Sequence, residues 1–250
     1  MLVPMSLNTI LLDLDGTLLR FSQDAFLGAY LPLLKKVLAE LDLEADHAIE
    51  AVWAGTKAMA RNDGSRLNKA RFWQVFSEHM GLAGESLARV ETACDSFYSN
   101  AFNAVRSVLI PSDIPSRLVP ALTAKGYCVV LATNPLFPLC AVESRLGWTG
   151  LESRDFTLVT HYANSSFCKP SPGYFQEIFT QIGRVPEQCL MAGNSPAEDM
   201  AAGLLGAATF LVTDCLENET GMDISAFRSG TLAELDAYLM SLPDISGLGA

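Results

Sequence analysis

The stretch Ile10-Leu11-Leu12-Asp13-Leu14-Asp15-Gly16-Thr17 decides how the rest of the chain is read. An apolar run of strand length ends on two carboxylates two positions apart, followed at once by a glycine and a hydroxyl residue. Side chains at i and i+2 of a strand point to the same side, so Asp13 and Asp15 can look into one pocket while Leu14 packs the other way. Two carboxylates about 4 Å apart repel by about 4 kcal/mol at an effective dielectric of about 20. A chain that holds such a pair supplies a cation to relieve it or a reaction that uses it.

Downstream of this strand the pattern turns helical. From Gln23 to Val105 no clear strand is expected. Ala25 to Leu41 carries Phe26, Leu27, Tyr30, Leu33, Leu34, Val37, Leu38 and Leu41 at helical spacing, with Pro32 as a kink or a late start. Asp46 is the expected N-cap of a second helix running to about Arg61, and Asn62-Asp63-Gly64-Ser65 reads as a turn. Further helices are expected at 68–80 and 85–103. Trp53, Phe72, Trp73 and Phe76 read as the core of this block, and His47 and His79 make no ligand pattern with each other.

At Pro111-Ser112-Asp113 helix and strand begin to alternate. Ser112 or Asp113 caps a helix that ends at Gly126, a strand follows over 127–132, and a helix over 136–146 ends at Gly147. Short strands are expected at 156–160, 189–192 and 209–213. Pro172 and Gly183 bracket one more helix, small residues suggest another around 199–205, and a last one covers 232–242 before a tail expected to fray. Alternation of this kind argues for an α/β fold, a doubly wound parallel sheet. The expected organisation is an α/β core formed by 1–20 and 106–250, with a smaller all-helical domain, 21–105, inserted after the first strand. Sites in such sheets form beyond the carboxyl ends of strands. Four expected strand ends carry polar residues: Asp13/Asp15, Thr133/Asn134, His161/Tyr162 and Gly193/Asn194.

Composition narrows the partners. Half of the 250 residues are apolar and the formal net charge is −11. Without a basic stripe, nucleic acid is not an expected partner, and an anionic substrate needs local positive charge to overcome the overall field. Cys94, Cys128, Cys140, Cys168, Cys189 and Cys215 are scattered without a Cys-x-x-Cys pair, as in reduced, buried thiols. Met1 to Leu7 lacks the basic start of a secretory signal, and no apolar run approaches the roughly 18 residues of a membrane helix. A cytoplasmic protein without a membrane partner is expected.

Taken in order, the polar strand ends resemble the motifs of the haloacid dehalogenase-like (HAD) superfamily. Asp13-Leu14-Asp15-Gly16-Thr17-Leu18 is similar to its first motif. Leu131-Ala132-Thr133-Asn134 resembles the second, and Lys169 in Cys168-Lys169-Pro170-Ser171-Pro172 the third. Gly193-Asn194-Ser195-Pro196-Ala197-Glu198-Asp199 resembles the fourth. The helical block lies where many members carry a cap. The resemblance implies a Rossmann-like core and a Mg²⁺-dependent phosphohydrolase acting on a small phosphorylated metabolite. Asp13 is then the nucleophile that forms an aspartyl-phosphate, and Asp15 the acid and later the base. Thr133, with the backbone around Asn134, binds phosphoryl oxygens, and Lys169 neutralises Asp13 and the phosphoryl group. A Mg²⁺ is implied between Asp13, the Asp15 main chain and the fourth motif. Where the family most often has Asp, this chain has Asn194, so Asp199 or Glu198 is expected to supply the missing carboxylate, with weaker Mg²⁺ binding.

The cap is expected to choose the substrate. Arg61 and Arg66, beside the Asn62–Ser65 turn, are its candidate cationic contacts, and Phe21 and Gln23 are expected at the entrance. A phosphosugar mutase of the same superfamily shares these motifs. A haloacid dehalogenase fits less well, because such enzymes generally lack the second acid. A non-catalytic binding protein rests on Asn194 alone.

Overall fold

The computed structural model describes residues 7–247; the expectations for residues 1–6 and for the last three residues fall outside them. β1 (Thr9–Leu12) is buried along its whole length and pairs in parallel with two strands, β2 (Cys128–Leu131) and β4 (Cys189–Gly193). A strand covered on both faces has no polar alternation to show, and Thr9-Ile10-Leu11-Leu12 has almost none. Outside these lie β3 (Leu158–Val159), β5 (Ala208–Val212) and the two-residue β6 (Ser229–Gly230), giving the all-parallel order β3-β2-β1-β4-β5-β6 among the described residues.

The pleat divides the core in two. Ile10, Leu12, Val129, Leu131, Leu190 and Ala192 face one layer, with α5 (Ile114–Ala124), α6 (Leu139–Thr149) and α8 (Leu232–Met240). Leu11, Val130 and Met191 face the other, against α7 (Pro172–Ile182) and a 3₁₀ segment, Met200–Leu205. Chain order reverses direction between β1 and β4, which puts a topological switch point there, and crevices at such points receive ligands.

Between β1 and α5 lie α1 (Gln23–Ala39), α2 (Ala45–Ala60), α3 (Asn68–Met80), α4 (Gly84–Ser99) and a 3₁₀ segment, Ala101–Val108. α1 runs straight through Pro32. Glu44, not Asp46, caps α2: its carboxylate accepts from the backbone N–H groups of Asp46 at 3.1 Å and His47 at 2.6 Å. The expected helix to residue 103 stops at Ser99, because Asn100 leaves helical geometry at φ −125°, ψ −86°. α6 also differs. It starts after Pro138 and passes through Gly147 to end at Gly150, whose φ of +80° makes it the left-handed C-cap. The small-residue helix after β4 is a 3₁₀ segment. Up to residue 247 the tail is tied down, with Ile245 N–H bonding to Lys125 O at 2.8 Å and Tyr127 Oη–H to Pro243 O at 3.0 Å. No helix among the described residues is long and apolar enough to cross a membrane.

Aromatic rings tie the inserted helices to the sheet layer. Phe26 stacks on Phe21 at 5.1 Å, and Phe102 meets Trp148 of α6 at 5.1 Å. One continuous apolar cluster therefore spans both regions.

Candidate active site

Asp13 leaves the end of β1 with its backbone N–H donating to Ala192 O of β4 at 2.9 Å, so the switch point itself fixes its position. Lys169 Nζ donates to Asp13 Oδ1 at 2.8 Å and to Asp199 Oδ1 at 2.6 Å, and all three side chains are buried. Burial disfavours the Asp13 carboxylate and pushes its pKa up; the Lys169 ammonium opposes this, while Asp199 and Asp15 reinforce it. Burial also works against the Lys169 charge, but Asp13 and Asp199 outweigh it and hold the ammonium well above its ordinary range. The other oxygen of Asp13 makes no hydrogen bond among the described residues, and Asp13 lines the cavity.

The second acid is held from below. Arg145 of α6, fully buried, pairs with Asp15 Oδ2; its Nε–H donates to Ala141 O at 3.2 Å and its guanidinium lies 4.4 Å from the centroid of the Phe137 ring. Asp15 Oδ1 is buried without a partner among the described residues. Arg145 was missed in the sequence. Its signal was a cation on a buried stripe, at i+3 from Val142 and i+4 from Ala141, where only a paired charge is tolerable.

Glycines permit two close approaches, one between the first and fourth motifs and one within the fourth. Gly16 has φ +76°, and a Cβ there would lie 2.1 Å from Asn194 Nδ2. A Cβ on Gly193 would lie 2.1 Å from Asp199 Oδ2. Asn194 is buried; its Oδ1 accepts from Thr17 Oγ1–H at 3.2 Å, and its Nδ2–H donates to Cys215 O at 2.7 Å. Asp199 Oδ2 accepts from Ser195 N–H at 2.9 Å, so both oxygens of Asp199 are engaged, by Lys169 and by its own loop. Its geometry is that of a Lys169 anchor. Glu198, the other candidate for the missing carboxylate, accepts from Asn134 Nδ2–H at 3.0 Å.

The Asn134 side chain is engaged within the protein, apart from the backbone that is expected to help bind phosphoryl oxygens. Its Nδ2–H is taken by Glu198 and its Oδ1 accepts from Lys169 N–H at 3.3 Å, so the carboxamide braces two motifs. Thr133 keeps a hydroxyl without a partner among the described residues, and its carbonyl is fixed by Thr160 Oγ1–H at 2.7 Å and Tyr174 Oη–H at 2.9 Å. Glu217, also missed, lines the same cavity; burial, helped by Glu198, Asp199 and Asp15, pushes its carboxyl up to about 7. It follows β5 in a loop with no motif pattern, and bonds to Asn194 bring that loop to the site, with Glu217 N–H donating to Asn194 O at 3.0 Å and Cys215 O accepting from Asn194 Nδ2–H at 2.7 Å.

A cavity of about 470 Å³ rises from Asp13 and Asp15 to the inserted helices. Phe21 and Gln23 line it, and so do Trp53, Phe72, Trp73 and Phe76, which the sequence assigned to core alone. Arg61 and Arg66 do not; both are exposed, and Arg66 Nη1–H donates to Gln74 Oε1 at 2.7 Å. Their turn reaches the core through Asn68, whose backbone N–H bonds to Ser165 O at 2.9 Å and whose Nδ2–H bonds to Pro135 O at 3.3 Å. That docking leaves both arginines in solvent. His161 stays out of the cavity, its Nδ1 accepting from Ala163 N–H at 3.3 Å. His47 and His79, kept apart in the sequence reading, meet on the exposed surface of α2 and α3 with ring centroids 4.7 Å apart. Glu50 stands beside them, with ligand-capable atoms of all three within 4.8 Å of one another.

The chain resembles solved structures of one superfamily. A HAD phosphatase from Thermococcus onnurineus is 19% identical over 95% of this chain and 100% of its own, with a TM-score of 0.58. A HAD-hydrolase from Bacillus subtilis, solved bound to magnesium, is 20% identical over 93% and 98%, with a TM-score of 0.53. An L-2-haloacid dehalogenase is 17% identical over 95% and 100%, with a TM-score of 0.55. At these identities the likeness is one of fold. No curated protein sequence matches the chain. The family model of haloacid dehalogenase-like hydrolases matches residues 7–205, most of the chain, and the protein therefore belongs to the haloacid dehalogenase-like hydrolases.

Proposed function

We propose that this hydrolase is a Mg²⁺-dependent phosphomonoesterase working through an aspartyl-phosphate on Asp13. The observation that carries this reading is the division of labour between two acids. Asp13 lines the cavity with one oxygen held by Lys169 and one without a hydrogen bond among the described residues, while Asp15 stands beside it on the buried Arg145. In the first half-reaction the Asp13 oxygen attacks phosphorus in line, the bond from phosphorus to the ester oxygen breaks, and Asp15 gives that oxygen its proton. In the second, Asp15 takes a proton from water, the water oxygen attacks phosphorus, and the bond to Asp13 breaks to release phosphate. Lys169 and the Thr133 hydroxyl offset the phosphoryl charge throughout.

The donor set suits a hard divalent cation. Asp13, Asp15, Glu198, Asp199 and Glu217 stand against Lys169 and Arg145, and the neighbouring carboxylates add to burial in raising the Glu217 pKa. The Asp13 carboxylate, the Asp15 main-chain carbonyl and Asn194 Oδ1 would hold Mg²⁺, with Asp199 acting through Lys169 and Ser195. When bound, the ion screens the nucleophile from the phosphoryl dianion.

A haloacid dehalogenase fits the site less well, because the second acid that such enzymes generally lack, Asp15, is present and paired with Arg145. A mutase would need hydroxyl partners for a retained sugar, where this cavity offers mostly rings and aliphatic side chains. Turnover of p-nitrophenyl phosphate with Mg²⁺ and with EDTA, in wild type and Asp13→Asn, tests the reading, with halide release from L-2-chloropropionate as a control. Phosphate release lost in EDTA and lost by about a thousandfold or more in Asp13→Asn is expected. Turnover that survives either change, or halide release in its place, would reject it.

A further inference from the structure

The upper wall of the cavity differs from what a small anionic metabolite requires. Tyr30 of α1, Trp53 of α2, Phe72, Trp73 and Phe76 of α3 and Tyr98 of α4 supply most of it. Some of its polar atoms are paired within the protein, while Trp73 Nε1–H is buried without a partner among the described residues. Tyr30 Oη and Tyr98 Oη bond each other at 2.7 Å, and Thr56 Oγ1–H donates to Val52 O at 2.9 Å. Carboxylates complete the lining: Asp95 and Glu219 are exposed at its edge, and Glu217 lies nearer the acids below. None of the described lining residues is Lys or Arg, and Lys69, the cation close to Tyr162, is occupied by Glu91 at 2.8 Å.

We propose that the organic part of the substrate is a bulky apolar group without charge, an aromatic or branched aliphatic alcohol esterified to phosphate. This rests on the phosphomonoesterase reading. A second anionic group would give up its hydration and meet carboxylates, while a polyol would leave hydroxyls without partners. Aromatic rings instead pack face and edge against the apolar walls. Size points the same way, because about 470 Å³ falls within the range of cavities that enclose drug-sized ligands, and a two-carbon acid would fill little of it. Selection then comes from rejection of negative charge as much as from contact.

Two measurements on the wild-type protein in Mg²⁺ test the assignment. Calorimetric titration with 2-(1-naphthyl)ethylphosphonate and with phosphonoacetate, neither of which can be hydrolysed, reads the cavity alone. Steady-state kcat/KM for 2-(1-naphthyl)ethyl phosphate, 2-phosphoglycolate and phosphocholine reads it through turnover. The naphthyl compounds are expected to win by about tenfold in affinity and about a hundredfold in kcat/KM. Trp53→Arg changes a half-exposed position and is expected to cut the naphthyl preference about tenfold while raising activity on phosphoglycolate. Equal or reversed phosphonate affinities, or preference for phosphoglycolate or phosphocholine, overturn the apolar assignment and leave the phosphomonoesterase reading intact. Preferential naphthyl-phosphonate binding with no turnover of any ester has the opposite meaning: the reaction falls and the assignment stands.

Discussion

The lower and upper halves of the cavity are built on opposite principles. Below, at the strand ends, nearly every polar atom is committed: Lys169 to Asp13 and Asp199, Asn134 to Lys169 and Glu198, Asn194 to Thr17 and Cys215. Above, four helices present mostly rings, with the Tyr30 and Tyr98 hydroxyls bonded to each other and Trp73 Nε1–H buried without a partner among the described residues. A committed polar lattice orients reacting groups without reorganisation, whereas an apolar wall sets no direction and selects by size and charge. Chemistry and selection are thus separable here, and substitutions should sort by half.

The largest effect is expected below. Lys169→Met leaves Asp13 and Asp199 buried without a counter-charge, which should cost about 3–5 kcal/mol of stability and abolish turnover. Chemical denaturation and a turnover assay check both, and a variant of normal stability would show that the lattice is not charge-limited. Next comes a position above: Phe76→Ala removes a buried ring and should cost about 3 kcal/mol by the same denaturation assay. Asp13 does not touch that ring in the proposed reaction, so kcat on p-nitrophenyl phosphate below the melting transition should fall far less than KM rises.

Arg145→Met comes third. Asp15 loses its holder while the methionine fills the space, so kcat should drop by about a hundredfold with little change in KM. A structural role alone would move Tm and leave kcat in place, and Arg145→Lys should recover part of the loss. Asn194→Asp is subtler. A carboxylate would face Cys215 O at the 2.7 Å now spanned by an amide donor, which should destabilise the metal-free protein by about 1–3 kcal/mol. Mg²⁺ should restore that stability and bind more tightly than in wild type, read as a larger Mg²⁺-induced rise in Tm. Smallest of all, Arg66→Ala should leave kcat/KM unchanged and stability within about 0.5 kcal/mol, because Arg66 bonds Gln74 in solvent.

The same contrast explains what could be read in advance. Asp13, Thr133 and Asn194 follow short apolar runs and stand out locally, Lys169 is marked only by its order after the other motifs, and Pro172 and Gly183 bracket α7 to the residue. What was missed depends on tertiary contact. Arg145 looks like an ordinary helix residue until Asp15, 130 positions away, is brought against it. Glu217 joins the site through the hydrogen bonds of its loop to Asn194. Ring spacing in α3 fits core and cavity wall equally, since both are apolar faces of a helix. The arginines failed as candidates because Asn68, not a charge, docks their turn. Among helix ends, Gly147 and Gly150 are equivalent as letters; only the +80° φ of Gly150 separates cap from interior.

The central claim is that phosphate passes through Asp13. Asp15→Asn, mixed with p-nitrophenyl phosphate and Mg²⁺, should still accept the phosphoryl group, because p-nitrophenolate leaves without a proton, but should lack the base that activates water. Acid quenching followed by peptide mass spectrometry should then find one phosphoryl group on the peptide containing Asp13, released by hydroxylamine. A protein that releases p-nitrophenolate with no phosphoryl group on it, or carries one on another residue, would contradict the account.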